Sequence, residues 1–248
     1  MNLTGIAAII IIIVTAGLML LFTALHLRRP PAWRDIPAFT RLRRAVGLSV
    51  EDGTRLHFSL GRSSLVTPGS AASFAALSLL QKTAELTMVG DRPPVVSSGD
   101  SSLTILTQDT LHSAYQTAGA GSQYDPLSAQ LTGLTPFSYA AGAIPLIRDE
   151  AVSGNVIMGH FGPEIILLTD AAERTNAFNV AAAADLPAQA VLYASAQNPL
   201  IGEELFASGA YFNAGPMHHA SLRVQDILRW LIVAALVGGA IARLTGLL

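Results

Sequence analysis

The sequence predicts an α/β domain, with a Rossmann-like, mostly parallel sheet flanked by helices and one transmembrane helix at each terminus. Three observations carry this expectation. Residues 6–25 hold no charged side chain and include the branched run 9–14, so one helix there is long and apolar enough to cross a bilayer. A second apolar stretch, 228–248, closes the chain. Between the two, short apolar strands alternate with helical segments, joined by brief glycine-containing turns, the pattern of a parallel sheet with helices on its faces.

The chain has 248 residues, which leaves roughly 200 between the anchors, enough for one well-buried core. We expect an N-terminal span over 1–27, a basic juxtamembrane linker and short helix over 28–50, an α/β domain over 51–216 and a C-terminal helix entering the membrane over 217–248. The mean hydropathy of +0.46 is accounted for by the anchors and an alanine-rich interior. A formal net charge of −2 argues against a nucleic-acid partner. The absence of cysteine excludes disulfides, thiolate metal sites and a cysteine nucleophile, and fits a reducing compartment.

The first span lacks the positive start and the small-residue cleavage site of a signal peptide, so we read it as retained. Arg28, Arg29, Arg34, Arg41, Arg43 and Arg44 follow it, and the positive-inside rule then puts the domain in the cytosol and both termini outside an inner cell membrane. Arg229 lies at the start of the second span. Trp33 and Trp230 stand just inside the two spans, where amphipathic rings favour the headgroup layer. Ala234, Gly238 and Ala242 recur every four residues, a small-residue stripe against which another helix can pack; in an alanine-rich protein such a stripe also arises by chance.

The elements follow in order. Pro30, Pro31 and Pro37 predict an extended exit from the membrane. Residues 38–48 form a short helix with Phe39, Leu42 and Val46 on one side, which suits either a headgroup-facing segment or a simple stop-transfer flank. Residues 55–60 alternate as a strand. A helix over 70–88 follows the turn at Pro68 and Gly69. A second strand centres on Val95 and Val96, with a turn at 97–100 and a helix over 101–118 stopped by Gly119. A third cycle has strand 130–134 and a helix opening at Pro136. The fourth has strand 155–158, the turn 159–162, and Pro163 at the first helical position of 164–175. A fifth strand spans 178–183. Residues 186–196 fit helix or strand, and alanine content favours helix. A helix over 201–209 precedes the final one, from 219.

In such a fold ligands bind beyond the carboxyl ends of the strands. That edge would carry Arg62, Ser63 and Ser64; Ser98 and Asp100; Thr135 and Ser138; and His160 and Glu164, with Asn198, Glu203 and Glu204 near it. A histidine among carboxylates suits general acid–base work, since imidazole titrates near neutrality. Arg62 with two serines suits a phosphate or carboxylate. Each has a structural alternative: Asp100, Glu164 and Ser98 are what helix N-termini prefer, and Glu203 and Glu204 also open a helix. There is no P-loop and no nucleophile elbow. The Gly119-x-Gly121 pair follows a helix, so it is no dinucleotide fingerprint. No metal ligand set and no cofactor is implied, and His218 and His219, being adjacent, face different directions.

Several stretches, namely 56–61, 93–100, 160–164 and 199–211, resemble an uncharacterised family of bacterial membrane-anchored α/β proteins. The resemblance covers most of the domain, implies a single folded unit and carries no assigned activity or catalytic residue. Two functions are therefore expected. The first is a membrane-tethered scaffold, non-enzymatic, assembling as a homo-oligomer or with a membrane-protein partner. The alternative is binding or hydrolysis of a small polar metabolite at the carboxyl edge of the sheet.

Overall fold

The computed structural model describes residues 3–26, 33–67, 69–88, 90, 92–149 and 151–245. The expectations for Arg28, Arg29, Pro30, Pro31 and Pro68 lie outside the described residues. The chain forms two compact units, one of Met1–Arg34 with Asn213–Leu248, the other Asp35–Phe212.

The first unit pairs α1 (Leu3–His26) with α9 (Pro216–Leu244). Both helices are long and apolar enough to cross a membrane. Residues 5–14 of α1 and 229–241 of α9 are exposed along their whole circumference, so neither helix hides its apolar surface in this unit. Where the chain would leave a bilayer, polar groups replace bare methyls: the Arg223 guanidinium lies 5.8 Å from the Phe22 ring centroid, and Trp33 Nε1 donates to His219 Nδ1 at 2.7 Å.

The second unit is a six-stranded, all-parallel sheet: β1 (Arg55–Gly61), β2 (Val95–Ser98), β3 (Ala129–Leu131), β4 (Val152–His160), β5 (Phe178–Ala183) and β6 (Pro199–Leu200). Their spatial order is β3-β2-β1-β4-β5-β6, that of the doubly wound Rossmann fold. Strand pleating divides the side chains between two cores. Leu56, Phe58 and Leu60 of β1, with Val156 and Met158 of β4, pack under α2 (Pro37–Glu51), α3 (Ser70–Thr87), α4 (Ser101–Thr117) and α8 (Glu204–Tyr211). Ile157, Ala181 and Ala183 pack under α5 (Pro136–Ile147), α6 (Ile165–Glu173) and α7 (Leu186–Ser195). The chain crosses between faces through α5, which places the reversal of strand order between β1 and β4.

Local differences from expectation have physical reasons. The apolar side of α2, with Phe39, Leu42 and Val46, lies in the first core, so it is spent inside the sheet unit rather than on headgroups. Strand β4 is longer than 155–158 because Val152 to His160 pairs with β1 and β5 on both sides. Gly159 and His160 thus belong to the strand, and Glu164 rather than Pro163 begins α6 as its N-cap. Ser97 and Ser98 continue β2 instead of turning, and β3 starts one residue earlier and ends three earlier than expected. The two-residue strand β6 was hidden by its proline, and helix follows only at Glu204. The ambiguous 186–196 stretch is helical.

Candidate functional site

The reversal point opens into a cleft of about 630 Å³ lined by Arg62, Ser63, Ser64, Thr67, Gly69, His160, Ala184 and Asp185. That size suits a small molecule. Two glycines make the floor possible. Gly61 turns with φ +75°, and a Cβ there would stand 2.2 Å from the His160 carbonyl oxygen; a Cβ on Gly69 would stand 2.9 Å from His160 Nδ1. The absence of these two methyls lets β1, β4 and the loop before α3 close on one imidazole.

Arg62 crosses the edge from β1 toward α6. Its Nε and Nη2 each lie 3.4 Å from Glu164 Oε1, and that same oxygen accepts the Gly162 N–H at 3.0 Å. Glu164 is buried, with 6% of its surface exposed, so the loose ion pair supplies the counter-charge a buried carboxylate needs. His160 Nδ1 is 3.5 Å from Asp185 Oδ1, without hydrogen-bond geometry, and is buried with no hydrogen-bond partner among the described residues. Ser63 Oγ and Thr67 Oγ1 both donate to the Ser64 carbonyl, at 3.2 and 2.8 Å, which folds the loop over the cleft.

Of the residues expected at this edge, Arg62, Ser63, Ser64 and His160 line the cleft, and Glu164 stands behind Arg62. The others do different work. Asp100 caps α4, accepting from Leu103 N at 3.0 Å and from the Ser102 hydroxyl. Ser98 is buried against Thr104. Thr135 and Ser138 form a reciprocal capping box on α5. Glu203 is the N-cap of α8 and Glu204 accepts from Ile201 N at 3.2 Å; neither lines the cleft. Asn198 precedes β6, at the amino end of the sheet, where it accepts from Arg41 and donates to the Asn179 carbonyl; its expected place near the carboxyl edge is corrected accordingly. Sequence reasoning missed Thr67 and Asp185. Asp185 had a signal, since an acidic residue followed by Leu186 and Pro187 after a strand marks one more strand-to-helix turn.

Beneath the cleft runs a buried polar chain that periodicity alone did not reveal. Asn179 Nδ2 donates to the Ala172 carbonyl, and Asn155 Nδ2 donates to Asn179 Oδ1. Asn155 Oδ1 is therefore the acceptor facing His57 Nδ1, at 3.1 Å, which makes Nδ1 the protonated nitrogen and leaves Nε2 to accept from Ser97 Oγ at 2.9 Å. Tyr139 OH meets Ser59 Oγ at 2.5 Å and accepts the Gly61 N–H at 3.2 Å. Burial lowers the His57 pKa to about 4, and burial also raises that of Tyr139. Both rings are thus neutral at physiological pH, and the chain holds the Gly61 turn in place from below.

A family model described as a domain of unknown function, DUF6754, matches residues 1–247. The chain belongs to this family. The DUF6754 match runs through both terminal helices and the sheet unit, so the family is defined by the two together. No curated protein and no solved structure matches the chain. Among the described residues, no group of three or more His, Cys, Asp or Glu side chains is placed to hold a metal ion.

Proposed function

We propose that the chain is a membrane-tethered domain that binds a small polar metabolite in the cleft between β1 and β4, facing the cytosol. One observation carries the reading: unspent hydrogen-bonding capacity converges on a single cleft. Among the described residues, His160 Nδ1 is buried without a hydrogen-bond partner, and the Arg62 guanidinium is held only by 3.4 Å contacts to Glu164. Buried polar atoms left unsatisfied are disfavoured, and a polar ligand would satisfy these. The cytosolic side rests on the arginine excess behind the first span. The test is thermal unfolding of the full chain in maltoside micelles with the small-molecule fraction of a cell extract. Wild type should gain stability, with Arg62→Gln and His160→Gln gaining none; equal stabilisation of all three contradicts the site.

A second reading, a scaffold subunit that assembles through its membrane helices, is favoured by the outward surface of α9. Ala234 and Gly238 are exposed, and a Cβ at Gly238 would meet nothing within 4 Å. That leaves room for a helix from a second copy or from a membrane-protein partner. A strictly monomeric chain in nanodiscs, and no co-migrating partner in native extracts, would contradict it.

A further inference from the structure

Building on the cleft reading, we infer that the ligand carries an oxyanion, a phosphate or phosphoester, and that it binds by taking over Arg62 from Glu164. The cleft has a donor pole and an acceptor pole. At the donor pole stand the Arg62 guanidinium and the hydroxyl of Ser64; at the other stands the Asp185 carboxylate, whose side chain is 43% exposed and whose Oδ1 lies 3.5 Å from His160 Nδ1. The Arg62 side chain is 24% exposed, less than that of Asp185, and partial desolvation strengthens a charge-assisted bond. Arg62 is built to shift between partners. Its contacts to Glu164 are long, and both go to one carboxylate oxygen that already accepts the Gly162 N–H. Among the described residues Nη1 of Arg62 makes no hydrogen bond, and the planar fork of guanidinium fits phosphate better than it fits this shared oxygen. The stem of Arg62 lies so close over Gly99 that a Cβ there would stand 2.3 Å from its Cγ, which holds the side chain on the cleft edge whichever partner it takes.

This is not the dinucleotide arrangement in which a glycine-rich turn delivers a helix N-terminus to the phosphate. Here the loop from Arg62 to Gly69 intervenes before α3, and its first amide is spent on Thr67, whose carbonyl accepts Ser70 N at 3.0 Å. We place the recognition on side chains rather than on helix amides. The same chemistry is offered by free phosphomonoesters and by phospholipid headgroups. Val66, 92% exposed in this loop, and Leu186, 79% exposed beside Asp185, put apolar surface next to the charged pole, so both sources belong in the test.

The experiment is calorimetric titration of inorganic phosphate into the full chain in phosphate-free maltoside micelles, repeated with glycerol, with choline, and with phosphatidic acid in mixed micelles. Phosphate should bind. Arg62→Gln should weaken it by roughly tenfold or more, as loss of a charge-assisted bond does. Glu164→Gln keeps an acceptor for Gly162 N–H but removes the competing charge, so it should bind phosphate several-fold tighter than wild type. Tighter binding of phosphatidic acid than of phosphate assigns the lipid source; the reverse assigns a soluble phosphoester. Phosphate affinity unchanged in both variants overturns the inference. Binding of choline or glycerol in place of phosphate, abolished by His160→Gln, overturns the oxyanion while leaving the cleft a binding site; no binding of any probe, together with no stabilisation by cell extract, removes both.

Discussion

At the residue scale, the same side-chain chemistry serves either the helix ends or the cleft, and geometry decides which. Asp100 and Glu164 are both acidic residues at the start of a helix. Asp100 gives its oxygens to Leu103 N and Ser102, whereas Glu164 gives its oxygen to Gly162 and Arg62. Asp100→Ala should therefore cost about 1 kcal/mol of stability, as loss of an N-cap does, and leave extract-dependent stabilisation intact. Thermal midpoints with and without extract check it. His57 supplies a pH signature. Its folded pKa of about 4 lies below the 6.5 of an unfolded histidine. Above pH 6.5 neither state binds a proton there. As pH falls from 6.5 to 4 the unfolded chain takes a proton that the folded chain cannot, so stability declines, by on the order of 3 kcal/mol, and the effect levels off below that window. Denaturant unfolding at a series of pH values should show a steeper acid loss in wild type than in His57→Gln. Parallel curves would contradict the buried neutral imidazole.

At the scale of elements, the sequence was legible wherever local chemistry sets the boundary. Pro136, Gly119 and the alternation over 55–60 each place an end or a strand by rules that need only near neighbours. What was not legible depended on partners far along the chain. Strand β4 is extended by pairing with β1 and β5, and the face of β1 and β4 carrying His57, Ser59 and Asn155 reads as half-exposed in sequence although all three are fully buried under α5 and α6. In the cleft, Arg62, Ser63, Ser64 and His160 could be named from their turns, but the partnership of Arg62 with Glu164 spans about a hundred positions and has no local signal. The turn joining β1 to the cleft gives a sharp test. Gly61→Ala places a methyl 2.2 Å from a carbonyl oxygen at φ +75° and should cost more than about 4 kcal/mol, while Gly119→Ala, at φ +73° with nothing within 4 Å, should cost only about 1 kcal/mol. Comparing folded yield and thermal midpoint of the two variants separates crowding from backbone strain.

At the scale of the whole molecule, a Rossmann-order sheet is coupled in one chain to two helices apolar enough for a membrane, and the DUF6754 match covers both. In the proposed reading these helices tether the cleft among molecules on one side of a bilayer, which is why the side it faces matters as much as its shape. The chain contains no cysteine, so one introduced thiol reports both at once. Ala184→Cys puts that thiol on the cleft wall. The decisive measurement is its labelling by a membrane-impermeant maleimide in inside-out and right-side-out vesicles, with and without the small-molecule fraction of a cell extract. The account predicts labelling in inside-out vesicles alone, slowed when the extract is present. Labelling in right-side-out vesicles, or a rate in inside-out vesicles that the extract leaves unchanged, would contradict it.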